Sequence, residues 1–380
     1  MADVISLCSD LVRCKSATPH DDGVIEVVAN FLKAAGFETN IMIFRSPDGK
    51  NEVKNLFAKY GSSKEMILGF LGHVDVVPPG DGWESDPFEP VQKNGYLVGR
   101  GVCDMKGGVA AFCCAAAEFA KKEFAGTIEF LLTGDEEIGT YEGIQSLLDW
   151  CCKTGNIPHD CLIGEPSSSV VLGDRIYLGH RGSINVTVKA VGKQGHVAYP
   201  DNFKNSLSDV CRFVVHMLNY KWEHNDQRFP KTNLEPTMLF TNNYACNVVP
   251  DQTSANLNIR FSSDYDSSKL KEILLRESEN FDVSLEFIES GNAFYCDDDR
   301  LKSLMVSSIK DVTGVDATFS ASGGTSDGRF MISHCNTIEF GLIDNVIHQK
   351  NERSKVQDLV DLEKIYLLFL ESYFLENKNI

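Results

Sequence analysis

The sequence predicts an α/β protein with a smaller α+β segment set inside it, and three patterns lead there. Helical and strand-like apolar spacings alternate along most of the chain, as in a sheet flanked by helices. Several short runs are apolar throughout, as strands buried on both faces are. The middle of the chain instead alternates polar and apolar residues, the mark of an antiparallel sheet with one wet face.

Taken in order, residues 4–13 and 23–35 carry apolar side chains at helical spacing, and 66–72 form a short apolar strand. Residues 105–122, rich in alanine, read as a buried helix that runs at once into a strand at 127–132. Buried strands follow at 161–164 and 337–340, and 359–375 is a closing amphipathic helix. In the middle, 183–191 alternates through Ile184, Val186 and Val188. A helix at 205–218, an alternating strand at 254–261, a helix at 268–280 and a strand at 283–288 come after it. This β-α-β-β-α-β order resembles an open-faced sandwich. It places an inserted domain at 179–291 and the main domain at 1–178 and 292–380.

The 380 residues suffice for two such domains, at roughly 100–200 residues each. A chain that is 43% hydrophobic and 24% charged is ordinary for a globular protein, which excludes disordered and collagen-like classes. The 54 acidic against 36 basic side chains leave a net charge of −18, which argues against nucleic acid or an anionic membrane as partner. No apolar run reaches the about 20 residues of a membrane helix, and the longest candidate lies near Gly107. No cationic segment follows Met1 to signal secretion, so the twelve cysteines read as reduced thiols of a cytoplasmic protein. No C-x-x-C occurs; Cys113-Cys114 and Cys151-Cys152 read as small buried side chains rather than a metal or redox site.

Five segments put carboxylates or imidazoles at strand ends. His73 and Asp75 stand two residues apart, so both face one side of an extended backbone. They lie at the carboxyl end, where open α/β sheets bind ligands; a surface turn leading into Pro78-Pro79-Gly80 is the plainer reading. Asp104 precedes the alanine-rich helix, where it caps the helix, binds a ligand, or does both. The glycines around it fit no phosphate loop. Asp135, Glu136 and Glu137 end the next strand and repel one another unless cations compensate them. Neighbouring Glu136 and Glu137 point apart, so one can bind a metal while the other holds a water. Glu165 ends a further strand and His348 follows the last. Alone, each has an ordinary role as a cap, a turn or a satisfied histidine. Together, two imidazoles and four or five carboxylates suit two divalent cations, zinc foremost, bridged by one carboxylate. Two such ions about 3.5–4 Å apart can activate a water and polarise a carbonyl.

The segments G-H-x-D-V-V-P-P-G from Gly72, G-R-G-x-x-D-M-K-G-G from Gly99, T-G-D-E-E from Thr133 and G-E-P from Gly164 carry a resemblance to the M20 family of two-zinc metallopeptidases and deacylases. It runs from the first helix to the end of the chain. Trp83 with Pro87-Phe88, Gly195-His-Val-Ala-Tyr-Pro200, Glu235-Pro-Thr-Met238 and Gly323-Gly-Thr-Ser-Asp-Gly-Arg-Phe330 narrow it to deacylases of an N-acylated amino acid rich in carboxylates. The resemblance implies a catalytic domain with a mixed sheet flanked by helices and an inserted dimerisation domain. It assigns His73, Asp104 and Glu165 to one zinc and Asp104, Glu137 and His348 to the other, with cobalt as a substitute metal. It makes Glu136 the general base, and Asp75 the partner that fixes the His73 ring.

His196 reads from the residues as a surface histidine; the resemblance has it reach across a homodimer to stabilise an oxyanion in the partner's site. Tyr199, Asn247, Arg181, Arg260, Gly324, Thr325 and Ser326 would line the pocket of a small anionic substrate, and arginine's planar fork suits its carboxylates. For Arg260 a strand-end salt bridge is the structural alternative. Cys103 stands where the family more often has Ala, and His180 where a second Arg is common; the latter bears on carboxylate selectivity. Two rivals remain: a sister deacylase or carboxypeptidase with the same metals, and a non-catalytic binding protein of the same fold. The segments at Glu235 and Gly323 speak against the first, and the intact ligand positions against the second.

Overall fold

The computed structural model describes residues 3–375. Its internal contacts separate two compact units: one takes the chain up to Leu178, Cys296–Ser320 and the chain from Ser326 onward; the other takes Gly179–Tyr295 and Ala321–Thr325. The second unit runs past Gly291 to Tyr295 because Phe294 and Tyr295 pair antiparallel with His180 and Gly179. Two-residue ladders of this kind leave no periodicity to read.

The first unit is built on a mixed eight-stranded sheet. Its strands are β1 (Glu38–Arg45), β2 (Glu52–Gly61), β3 (Ile67–His73), β4 (Thr127–Thr133), β5 (Asp160–Ile163), β6 (Arg175–Tyr177), β7 (Thr318–Ser320) and β8 (Asn336–Glu339). They lie in the order β1-β2-β4-β3-β5-β8-β6-β7. The central four, β4, β3, β5 and β8, are parallel, and β1 and β2 join as an antiparallel hairpin at one edge. Every residue of β3, β4 and β5 is buried, so their side chains need no alternation. The carboxyl ends of the parallel strands therefore emerge together, and the candidate site residues follow them.

Helices cover both faces. The helices α1 (Val4–Arg13), α3 (Gly107–Phe119) and α6 (Val356–Leu375) pack on one face, with α2 (Val24–Ala34) against β1, β2, α1 and α3 and α5 (Asp299–Thr313) against α6. On this face the ring of Phe112 stacks 4.2 Å from that of Phe70, with Tyr366 edge-on to both. Emptying a buried aromatic position of this kind costs about 3–5 kcal/mol. Buried Leu359, Leu362, Ile365, Tyr366, Phe369, Leu370, Tyr373 and Phe374 trace one stripe of α6 at helical spacing. On the other face α4 (Ile144–Thr154) sets Ile144, Leu147, Leu148 and Cys151 against Leu71, Leu131, Cys161 and Ile163. The alanine-rich segment is α3, buried along nearly its whole length.

The second unit is a four-stranded antiparallel sheet, ordered Asn233–Thr241, Gln252–Phe261, Gly182–Val191, Ser284–Gly291, with helices Ser206–Leu218 and Ser267–Ser278. Ile184, Val186, Val188 and Ala190 face its core, where they meet Phe213, Leu257 and Leu274. In chain order the elements run β-α-β-β-α-β. Twelve free cysteines, seven of them in the helices and strands named above, carry no disulfide. Among the described residues, no helix is long and apolar enough to cross a membrane.

Candidate metal centre and active site

Strand β3 ends on His73, which is 1% exposed. Its Nδ1 lies 3.0 Å from the backbone carbonyl of Asp75 and 3.5 Å from the Asp75 carboxylate. Its Nε2 faces Asp104 Oδ1 at 3.2 Å and Glu165 Oε1 at 3.7 Å. The other oxygen of Asp104 lies 3.1 Å from His348 Nε2, which also meets Glu137 Oε1 at 3.1 Å. One carboxylate thus stands between two imidazoles, each with a second carboxylate of its own. His73, Asp104 and Glu137 offer ligand atoms within 4.8 Å of one another, and so do His73, Glu136 and Glu165.

The chain reaches this arrangement by irregular backbone. Val102–Lys106 is a single wide turn in which Asp104 is extended, and the Asp104–Met105 peptide is cis. Asp104 is not the cap of α3, because Lys106 precedes that helix and the Asp104 oxygens face the histidines instead. A Cβ on Gly108 would stand 2.5 Å from the carbonyl of Gly164, so only glycine lets α3 approach the end of β5, where Glu165 sits. His348 is held at φ +59° in the loop after β8.

Asp75 serves two neighbours. The ring of His73 meets both its backbone carbonyl and its carboxylate, and that carboxylate also accepts the N–H groups of Glu136 at 3.1 Å and Glu137 at 3.2 Å. Asp135 turns inward to Thr133 and Thr140. Of the three consecutive acids, two are therefore left to face the site.

The electrostatics are those of a carboxylate cluster short of cations. Burial pushes the Glu165 and Glu136 carboxyls well above the usual range, helped by Asp104 and Asp327 respectively. Burial likewise raises Asp327 to about 7 against the pull of Arg329. Burial opposes the charged form of Asp104, but His348 and His73 outweigh it and hold the carboxyl well below its ordinary value. The bonds from Asp104 and Glu137 lift His348 to about 10. Among the described residues, no lysine or arginine forms an ion pair with Asp104, Glu136, Glu137 or Glu165. Hard oxygens and two imidazoles without ammonium or guanidinium partners fit divalent cations of the zinc class.

The second unit holds most of the remaining candidates. His196 lies in a two-residue strand paired with Val248 and Val249, and the carbonyl of Asn247 accepts the N–H of Val197 at 3.0 Å. The ring of Tyr199 is 5.6 Å away, so the three form one exposed group. The Nδ1 atom of His196 accepts from the N–H of Ala198 at 3.1 Å, which leaves the neutral ring its hydrogen on Nε2. Arg181 donates to Asn233 Oδ1 and the Lys231 carbonyl, with its Nε buried and unbonded. Arg260 donates to Asn258 and to Thr325 Oγ1 at 2.9 Å. The salt-bridge alternative for Arg260 does not appear among the described contacts; its partners are neutral. Burial and the charge of Arg260 both lower the pKa of Arg181, so the two cations repel. The position of a Cβ on Gly324 is open on all sides. Ser326, in the first unit, is buried; its hydroxyl donates to Glu339 Oε1 at 2.5 Å and accepts the N–H of Gly328 at 3.1 Å.

Asp327 and Glu352 escaped the sequence reading. The first lies in the quoted segment after Gly323, and the second four residues past His348, so adjacency to named residues was the signal available.

Comparison with known proteins follows the same lines. The pattern of peptidase family M20/M25/M40 matches residues 69–372. A succinyl-diaminopimelate desuccinylase of Zymomonas mobilis is 39% identical over 366 residues, 96% of this chain and 96% of that relative. One from Bradyrhizobium diazoefficiens is 38% identical over 98% of this chain and all of its own length. In structure, an M20 family metallo-carboxypeptidase of Sulfolobus solfataricus superposes with a TM-score of 0.83 at 16% identity, covering 98% of this chain and 99% of its own. A dinuclear metal binding M20 peptidase of Bacillus subtilis does so at 0.68 and 12%, covering 97% and 96%. At these identities the two structures speak to the fold alone.

Proposed function

This chain belongs to peptidase family M20/M25/M40, and from that premise we propose that it hydrolyses N-succinyl-LL-2,6-diaminopimelate to LL-2,6-diaminopimelate and succinate, a step toward lysine and peptidoglycan precursors. It is a metal-dependent amidohydrolase. The finer reading is a cytoplasmic homodimer with two zinc ions per subunit, for which cobalt can substitute. The observation that carries the two-metal reading is the Asp104 carboxylate, one oxygen toward His73 and the other toward His348. The substrate follows from relatives of that name matching nearly the whole chain. Met238, Leu239 and Phe240, exposed on the edge strand of the second unit, support the homodimer.

His73, Asp104 and Glu165 would hold one ion, and Asp104, Glu137 and His348 the other. Two such ions lower the pKa of a water and polarise an amide carbonyl. Glu136, outside both imidazole–carboxylate pairs, takes a proton from the water as its oxygen attacks the carbonyl carbon. It gives that proton to the amine nitrogen as the C–N bond breaks. Asp75 holds the Glu136–Glu137 backbone in place. His196 offers its Nε2 hydrogen to the tetrahedral oxyanion in the partner's site. Three substrate carboxylates call for local donors, which Arg181, Arg260, Thr325, Tyr199, Asn247 and the backbone at Gly324 would supply.

Metal-free protein reloaded with zinc, assayed on succinyl-diaminopimelate beside N-acetylornithine, tests the assignment. The succinylated substrate turns over faster. Equal or faster turnover of N-acetylornithine rejects the substrate, and bound zinc with no hydrolysis of any acylated amino acid rejects the enzyme.

A further inference from the structure

We propose that Glu352 and Arg100 are positioning residues, a buried pair that clamps the Asp104 peptide to the His348 loop and so sets the spacing of the two metal positions. The proposal rests on the two-metal reading above.

Glu352 is 0% and Arg100 1% exposed. The Oε2 atom of Glu352 meets Arg100 Nη1 at 2.7 Å. Its Oε1 accepts the N–H of Cys103 at 2.9 Å and of Asp104 at 3.2 Å. Two further bonds repeat the link: the Gly99 N–H donates to the carbonyl of Glu352, and the Cys103 thiol to that of Arg353, both at 2.9 Å. Residues 99–104 and 352–353 are thus tied at five points, with the bridging carboxylate on one side and His348 four residues upstream on the other. Arg100 extends the clamp to a third segment. Its Nη2 reaches the carbonyl of Pro79 at 3.4 Å, and its guanidinium lies 5.2 Å from the ring of Trp83, whose indole N–H donates to the same carbonyl. Pro79 follows His73 and Asp75 through a short turn. All three segments that carry imidazole or bridging ligands therefore converge on one ion pair.

Stability alone does not call for such a pair, since apolar replacements of a buried ion pair are often neutral or stabilising. An apolar pair, however, cannot accept the N–H groups of Cys103 and Asp104. Nor would a lone carboxylate sit easily there, since Asp104 and its neighbours already crowd the region with negative charge; Arg100 offsets Glu352.

Zinc titration of the folded chain, against a chelating dye, tests this with the double variant Arg100→Met/Glu352→Met. The visible spectrum of the cobalt form and the melting temperature without metal complete the readout. The double variant leaves two buried N–H groups unpaired, so it is expected to melt somewhat below the wild type when metal-free while still folding, and to bind zinc about ten- to a hundredfold more weakly, with an altered cobalt spectrum. Glu352→Gln, which keeps an oxygen for the two N–H groups, recovers part of the affinity. Wild-type zinc affinity and an unchanged cobalt spectrum in the double variant overturn the proposal. If the double variant does not fold, Glu352→Asp decides, being one methylene short of the two N–H groups: weaker zinc binding supports the clamp and unchanged binding rejects it. A wild-type chain that takes up fewer than two zinc ions rejects the two-metal reading itself, and the clamp with it.

Discussion

Asp75 accepts the backbone N–H groups of Glu136 and Glu137, so these neighbours leave β4 with their backbone held and their side chains sent apart. Glu137 meets His348, while Glu136 sits where burial and Asp327 favour the protonated carboxyl. The division of labour proposed for them follows: a ligand is already committed to an imidazole, whereas a base needs a carboxylate free to gain and lose a proton. Glu136→Gln is expected to keep full zinc content and lose about 10²–10⁴-fold in kcat. Metal analysis and steady-state rates check it, and an unchanged kcat removes Glu136 from the role. His73, Asp104, Glu137, Glu165 and His348 were legible because each follows an apolar strand or opens a helix in the sequence. The inward turn of Ser326 was not, since it depends on Glu339 arriving from another strand.

Among the strands, β4 carries an anomaly. Glu129 is buried in its middle, opposite Lys59 of β2, with one carboxylate oxygen unbonded. Burial raises its pKa from 4.5 to about 7, against the weaker pull of Lys59. The folded chain therefore holds a proton that the unfolded chain releases in that window. Stability from this group is complete below the unfolded pKa and is lost as pH rises toward the folded one. Removing the titration with Glu129→Gln should stabilise the chain by about 3 kcal/mol at pH 8 relative to pH 4. Urea unfolding of both proteins across this range, at saturating zinc, checks it; parallel curves would refute it. The elements legible in advance were those with strong apolar periodicity, such as α1, α2 and α6, and the alanine-rich run of α3. Strand β1, whose residues are all exposed or half-exposed, and helices α4 and α5, with polar residues between their buried positions, gave weaker patterns.

The proposed homodimer makes each active site depend on two chains, Glu136 from one and His196 from the other. His196→Ala alone should lower kcat by about 10²–10³-fold with zinc content intact. Two inactive variants should then restore each other. Glu136→Gln and His196→Ala chains, unfolded and refolded together, form mixed dimers with one complete site, so that a random mixture recovers about a quarter of wild-type activity. Activity no higher than the sum of the separate variants would show that His196 does not act across the dimer.

Local chemistry made much of this chain readable: the period of a strand or helix reports its own burial, and carboxylates at the ends of buried strands stand out against the apolar runs before them. Partnership between segments is another matter. His73 meets Asp104 across 31 positions, His348 meets Glu137 across 211, and Glu352 takes the N–H of Asp104 across 248. Which oxygen faces which nitrogen, which acid turns inward and which buried pair ties the loops together arise only when the sheet brings those segments to one edge, because no local pattern encodes the distance between residues so far apart along the chain.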